Sequence, residues 1–297
     1  MPHRLDPILA KAQSPKFCPL DRMGVANKAM LELTAVRLEH PRGGAPLVSD
    51  ASLSVARGEV VMIVGAAGVG TSRLVAAALG EVPVAEGRIE VLGRDVAKLR
   101  RSSLRMLRRR VGIVPQELCL LDDRSAQLNV ALPLEIDGVP RSTTILRATE
   151  ALHRLGLERE AQLPLDCLAG SERQRVAVAR ALVRDPELVL ADHPTSMQDA
   201  EGAELVAAAL ADAAAAGAAV VAFGRDLALR AIAERRGWRT LGLVHGQLLP
   251  LGDIRLDGKT IDELLVDITS APVKAPEPES IPNLVPFPLS ARTAGVA

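Results

Sequence analysis

The apolar positions fall in short, nearly unbroken runs separated by longer stretches of helical period. "EVVMIVG" (59–65), "RVGIVPQ" (110–116), "PELVLAD" (186–192) and "AAVVAFG" (218–224) are rich in β-branched residues and bounded by Gly, Pro or charge. Such runs predict strands buried on both faces. Between them, "TSRLVAAALG" predicts a helix closed by Gly80, "SERQRVAVARALVRD" (171–185) an amphipathic helix, and "AEGAELVAAALADAAAAG" (200–217) an Ala-rich one. Strands alternating with helices predict a parallel sheet covered on both faces, an α/β class. Ahead of it, short strands within 31–62, with turn signals at "PRGG" (41–44) and "ARG" (56–58), predict an antiparallel piece. The chain contains no internal repeat.

Regular patterning starts near Met30. Residues 1–29 are polar and irregular, 30–252 form one continuous block, and 253–297 form a C-terminal extension that is Pro-rich and expected to be disordered from about 272. The 297 residues are 48% hydrophobic and 24% charged, enough for a substantial core. A formal net charge of +0 and 1% aromatic residues, without Tyr, argue against a nucleic-acid partner. Cys18, Cys119 and Cys167 have neither metal-ligand nor disulfide spacing, which fits a reducing compartment and predicts small core fillers. The start lacks the apolar region of a secretory signal, and the run at 213–223 is too short for a membrane span. The expectation is a soluble, cytoplasmic chain, peripheral to a membrane only through a partner.

Chemistry is expected first in "VGAAGVGTSRL" (64–74). Gly65, Ala66, Ala67, Gly68, Val69, Gly70, Thr71, Ser72 and Arg73 fit the phosphate-loop spacing G-x-x-x-x-G-K-[ST], except that Thr71 stands where the lysine belongs. A Gly-rich turn between a strand and a helix aims backbone N–H groups and the helix N-terminus at an anion, and this needs no lysine. Losing one charge-assisted hydrogen bond, about 1.5–3 kcal/mol, would weaken binding tenfold to a hundredfold or more. Alone, the loop equally reads as an ordinary Gly-rich turn. Asp192 ends a buried strand, as a carboxylate ordering a Mg²⁺ shell would, and Gln116 ends another.

Three further segments, "LRRRVGIVPQELCLLDDRSAQLNVALPL" (107–134), "LAGSERQRVAVARALVRDPELVLADHPTSMQD" (168–199) and "VVAFGRD" (220–226), stand in order behind this loop. Over residues 30–250 the sequence resembles the ATP-binding cassette (ABC) subunits, and within them the FtsE-like cell-division branch with its lipoprotein- and macrolide-exporter relatives. The resemblance implies a P-loop NTPase fold with a RecA-like core, an antiparallel β subdomain and a helical signature subdomain. It implies ATP and Mg²⁺ as ligands, with Ser72, Gln116 and Asp192 around the metal. The signature falls at Leu168, Ala169, Gly170, Ser171 and Glu172, and the D-loop aspartate is Asp199.

The departures sort by role. Thr71 replaces the lysine, Ala169 the signature serine, Ser171 the second signature glycine, His193 the catalytic glutamate and Arg225 the switch histidine. His40 is the nearest substitute for the adenine-stacking aromatic. The cradle and the magnesium set remain, while the γ-phosphate set is gone. The resemblance therefore implies a cassette with weak or no turnover, a pseudo-ATPase, in a homodimer or heterodimer docked on an integral, FtsX-like permease. The region 118–138 is where the family receives its membrane subunit, and its apolar content fits a partner groove or core packing. A scaffold that binds no nucleotide, and a slow ATPase with His193 as base, are the rival expectations. Arg225 either serves a γ-phosphate or pairs with Asp192 or Asp226. Arg73 leaves its helix on another face than Thr71 and is a poor stand-in. The run at 99–110 is expected to be a solvated helix face rather than a contact for anionic lipid.

Overall fold

The computed structural model describes residues 29–65, 68–244, 246–251, 255–256 and 259–260. The expectations for both tails, and for Ala66, Ala67 and Cys18, lie outside the described residues. In chain order the main elements are β1 (Leu31–Leu38), β2 (Val48–Val55), β3 (Val60–Gly65), α1 (Thr71–Ala78), β4 (Glu86–Val91), β5 (Arg94–Asp95), α2 (Arg101–Arg108) and β6 (Val111–Val114). There follow α3 (Ala126–Ile136), α4 (Arg141–His153), α5 (Gly170–Leu182), β7 (Leu188–Asp192), α6 (Ala200–Ala215), β8 (Ala219–Gly224), α7 (Leu227–Arg235), β9 (Arg239–Val244) and β10 (Gln247–Pro250).

The buried runs form one sheet in the order β10-β9-β3-β8-β7-β6. Its five strands from β9 to β6 are parallel, and β10 is an antiparallel edge. Because strand side chains alternate faces, Met62 and Val64 enter one core and Val61 and Ile63 the other. The first core lies under α3 to α7, where the small side chains of α6 (Ala203, Ala207, Leu210) are fully buried. The second is closed by α1 and by an antiparallel sheet of order β2-β1-β4-β5. The front piece is thus antiparallel as expected, with one difference: β4 and β5, far along the chain, complete it. Gly112 marks how tightly the layers meet, since a Cβ there would stand 2.5 Å from the Ala181 carbonyl oxygen of α5.

The sequence between 118 and 160 carried no element assignment, yet it forms α3 and α4. In α3, Val130, Ala131 and Leu134 are core, while Ile136 is exposed, as is Leu121 ahead of the helix. The basic run is α2, with Arg101, Arg105 and Arg109 exposed and Leu107 buried. One expectation fails: Cys119 and Cys167 are exposed, not core fillers. Both sit in connecting segments, Cys119 in irregular chain at φ 49° and Cys167 in a 3-10 turn before the signature. Asp166 beside it raises the Cys167 thiol above its ordinary value. No helix among the described residues is long and apolar enough to cross a membrane.

Candidate functional site

The carboxyl ends of the parallel strands gather the residues that the sequence pattern marked. β3 ends at Gly65, β7 at Asp192 and β8 at Gly224, while Gln116 lies two residues past β6. Ligands of open α/β sheets bind along such an edge because loops and helix N-termini converge there. β8 runs between β3 and β7, with Val64 opposite Gly224 and Asp192 opposite Phe223. The Gly-rich loop and Asp192 are therefore two strands apart, and Arg225 leaves the strand between them.

The loop has the backbone that a cradle requires. Gly68 and Gly70 have φ of 78° and 108°, the left-handed region open to glycine. A Cβ on Gly70 would meet Leu47 at 3.0 Å, so the end of the β1–β2 turn seats the loop from behind. Gly70 is the N-cap of α1 and offers no side chain, leaving the first helical N–H groups without a side-chain acceptor. Those N–H groups and the helix dipole can take an anion. Thr71 turns inward: it is 9% exposed, and its methyl lies 3.3 Å from where a Gly65 Cβ would stand. No cation extends from this position. Ser72 is exposed, with its Oγ 3.5 Å from Gln116 Oε1, so these two side chains share one side of the site.

Asp192 is 4% exposed, and its Oδ1 is buried without a hydrogen-bond partner among the described residues. A buried carboxylate oxygen left unsatisfied costs several kcal/mol unless something occupies it. Its chemistry, with that of the Ser72 hydroxyl and the Gln116 amide oxygen at the same strand edge, is the all-oxygen kind that suits Mg²⁺. The residues present fit that ion and a phosphate chain.

Beyond Asp192 the chain makes a tight turn built by buried polar side chains. His193 has φ 54°, unusual for a residue with a Cβ. Its N–H donates to the Phe223 carbonyl at 2.8 Å, its Nδ1 lies 3.4 Å from the same oxygen, and its side chain is 16% exposed. Gln174 of α5, 2% exposed, donates to the His193 carbonyl (2.9 Å) and to Ser196 Oγ (3.0 Å). It accepts from Met197 N–H (3.1 Å) and Gln198 Nε2 (3.0 Å). Thr195 Oγ1 donates to Asp226 Oδ2 at 2.8 Å, tying this turn to the segment after β8. Asp199 caps α6 through Gly202 N–H (2.8 Å).

The signature turn opens α5. Ala169 is its N-cap, with no side-chain acceptor, and Glu172 accepts from the Ala169 N–H at 2.7 Å. Further along α5, Arg180 donates to the carbonyls of Leu118 and Cys119, each at 2.7 Å, holding the segment after Gln116; its burial lowers the guanidinium pKa. Gln174 and Arg180 were missed in the sequence. Gln174 does leave a signal, a polar residue on the apolar stripe shared with Ala177, Val178 and Ala181, whereas Arg180 leaves none. Arg225 is exposed and makes no ion pair with Asp192 or Asp226; both oxygens of Asp226 are taken, Oδ1 by Leu229 N–H at 2.7 Å and Oδ2 by Thr195. The expected pairing is absent: neutral donors already engage the Asp226 carboxylate, and Arg225 makes no ion pair with Asp192.

The chain is 39% identical over 170 residues to the methionine import ATP-binding protein MetN of Brucella abortus, covering 57% of this chain and 46% of that protein. It is 39% identical over 177 residues to MetN of Caulobacter vibrioides, covering 60% and 53%. The chain thus spans about half the length of the curated relatives it matches. Among solved structures, the dimeric post-hydrolysis state of the ATP-binding cassette MJ0796 bound to ADP and Pi superposes with a TM-score of 0.67. The two are 29% identical, over 74% of this chain and 96% of that one. The family profile described as ABC transporter matches residues 48–196, half of the chain, and spans the Gly-rich loop, Gln116, the signature turn and Asp192. By its sequence, its two-sheet fold and the arrangement of this strand edge, the chain belongs to the ABC transporter family of ATP-binding cassettes.

Proposed function

We infer that the chain is the nucleotide-binding subunit of a membrane transport complex, that it binds Mg²⁺ and ATP at the edge formed by the Gly-rich loop, Ser72, Gln116 and Asp192, and that it turns ATP over slowly or not at all. The observation that carries this reading is the buried Asp192 Oδ1, which has no hydrogen bond and stands two strands from an uncapped glycine cradle. When bound, Mg²⁺ would supply charge neutralisation between phosphate oxygens. The chain's own contribution is positional: Gly68 and Gly70 shape the cradle, α1 presents its N–H groups, and Gln174 fixes the turn that follows Asp192. Loss of turnover is supported by Thr71, whose inward side chain carries no charge, and by His193 in the position of a carboxylate base.

Exposed Leu121, ahead of α3, and Ile136, at its last turn, support a docking surface for an integral membrane subunit. The curated relatives are import subunits named for methionine, which favours a solute importer over an FtsX-like partner. Assembly as a dimer is supported by the likeness to a dimeric cassette.

Calorimetric titration of the full chain with Mg·ATP tests the reading; no heat at millimolar nucleotide leaves a docking scaffold instead. Steady-state phosphate release is expected at or near background. The double change Thr71→Lys with His193→Glu should raise ATP affinity about tenfold or more, the worth of one charge-assisted hydrogen bond. A second reading, slow hydrolysis with His193 as base, draws on its Nδ1 lying near the Phe223 carbonyl, which leaves Nε2 to accept a proton. It fails if His193→Ala leaves a measured rate unchanged.

A further inference from the structure

We propose that the chain carries a second binding site, for a free amino acid with an apolar side chain, in a cavity at the end of the parallel sheet remote from the nucleotide edge. The inference goes beyond the nucleotide reading and does not depend on it.

The cavity holds about 340 Å³, the size of a small-molecule site. It lies over the last turns of α5, which packs against both α4 and α6. Pro186 and Glu187, just before β7, and Ala218, just before β8, also line it. From there β7 runs to Asp192, so about 16 Å of strand separates the cavity from the carboxylate of the nucleotide edge. The space exists because α6 turns Ala209, Ala213 and Ala216 toward it, at spacings of four and three that share one helix face. With Leu155, Leu182 and Val183 they make an apolar lining.

Charge at the cavity comes in both signs, and part of it is uncommitted. Arg147 of α4 is paired with Asp185, and Glu187 accepts from both Nε and Nη2 of Arg110. Arg57 reaches Glu187 only at 3.9 Å. Its Nη1 lies 3.0 Å from where a Gly217 Cβ would stand, so the glycine, at φ 105°, leaves the guanidinium room beside the cavity. Glu150 and Arg154, at the end of α4, and Asp212 of α6 line the cavity with no ion pair or side-chain hydrogen bond among the described residues. Two cations and two carboxylates thus border an apolar lining without having neutralised one another. A ligand that satisfies all three carries a carboxylate, an ammonium group and an apolar body on one small frame. Guanidinium forks suit the carboxylate, and ionised carboxylates suit the ammonium. An apolar α-amino acid is such a molecule; a fatty acid or an alkylamine would leave one pair of charges unmatched.

The test is calorimetric titration of the full chain, in EDTA and without nucleotide, with L-leucine, 4-methylpentanoate and 3-methylbutylamine. The last two keep the leucine side chain and lack the ammonium group and the carboxylate, respectively. Leucine should give a saturable heat at millimolar concentration. Each analogue should bind about tenfold or more weakly, the effect of losing one charge-assisted hydrogen bond. Arg154→Gln and Asp212→Asn should each weaken leucine about tenfold for the same reason. Ala213→Leu fills the cavity and should abolish binding, with a Tm at or above that of the wild type; if its Tm falls, the two rim variants, both at exposed positions, decide the matter. Absence of a saturable heat from leucine in the wild type overturns the proposal. So do analogues that bind as well as leucine, and so does leucine binding that is unchanged in all three variants, which places it elsewhere on the chain. None of these results bears on the Mg·ATP titration, so the failure of one reading is distinguishable from the failure of the other.

Discussion

Asp192→Asn separates two effects that a destabilising mutation would confound. Without ligand, the Asp192 carboxylate is 4% exposed, its Oδ1 has no hydrogen bond, and the nearest cationic candidate, His193 Nδ1, is 3.9 Å away. An unsatisfied buried polar group costs about 1–3 kcal/mol, and more when it is charged. The amide keeps the shape and removes the charge, so the ligand-free chain should gain about 1–2 kcal/mol. In a domain of this size, each kcal/mol moves Tm by about 2–4 °C, which places the variant about 2–8 °C above the wild type. With Mg·ATP the order should change. At a hundred times its Kd a ligand adds about 2.7 kcal/mol, or about 5–11 °C in the wild type. The substitution removes the one anionic oxygen donor among Ser72, Gln116 and Asp192, so the variant should show the same shift with Mg²⁺ as with EDTA. Thermal unfolding of both proteins without ligand, with Mg·ATP and with ATP in EDTA reads both signs. A lower ligand-free Tm in the variant, or a fully retained Mg²⁺-dependent shift, would refute the argument that this oxygen is kept unpaired for a metal.

Two predictions concern the frame around the site. Gln174→Ala strands the His193 carbonyl and the Met197 N–H in a turn closed by α5, and should lower the unfolding free energy by about 2–4 kcal/mol in urea titration; a loss under about 1 kcal/mol would mean that water replaces it. Glu187, a third exposed, is held below its ordinary carboxylate value by the Arg110 hydrogen bond, so its stabilisation is complete above the unfolded value and is lost as pH falls through the lowered folded one. Glu187→Gln should therefore cost no more than about 1 kcal/mol at neutral pH, with the gap to wild type closing in acid below pH 4.5; a gap that persists there points to packing instead.

The parallel sheet was legible because its strands are buried on both faces, and such strands show as unbroken apolar runs: β3, β6, β7 and β8 appear within a few residues of where the pattern puts them. β4 and β5 were not legible. They are short, β4 finds its partner β1 some fifty to sixty residues earlier and is half exposed, and β5 pairs with β4 over two residues, so nothing local marks them. α3 hides its period in a run apolar on most sides and interrupted by Pro133. The exposure of Cys119 and Cys167 could not be read either, since Cys composition describes a tendency and not a position.

The same division holds at the site. Local sequence by itself determined that a Gly-rich turn joins β3 to α1 and that a carboxylate ends β7, because glycine spacing and strand burial are properties of contiguous residues. The identities of Thr71, Ala169 and His193 are likewise read directly and need no coordinates. Only the tertiary structure decided what the remaining groups touch. It placed β8 between the loop and Asp192, turned Thr71 inward, left Asp192 Oδ1 without a partner and filled both oxygens of Asp226 so that Arg225 stands unpaired. Strand order and hydrogen-bond partners join residues some thirty to a hundred and sixty positions apart in sequence, and no local pattern encodes which of them will meet.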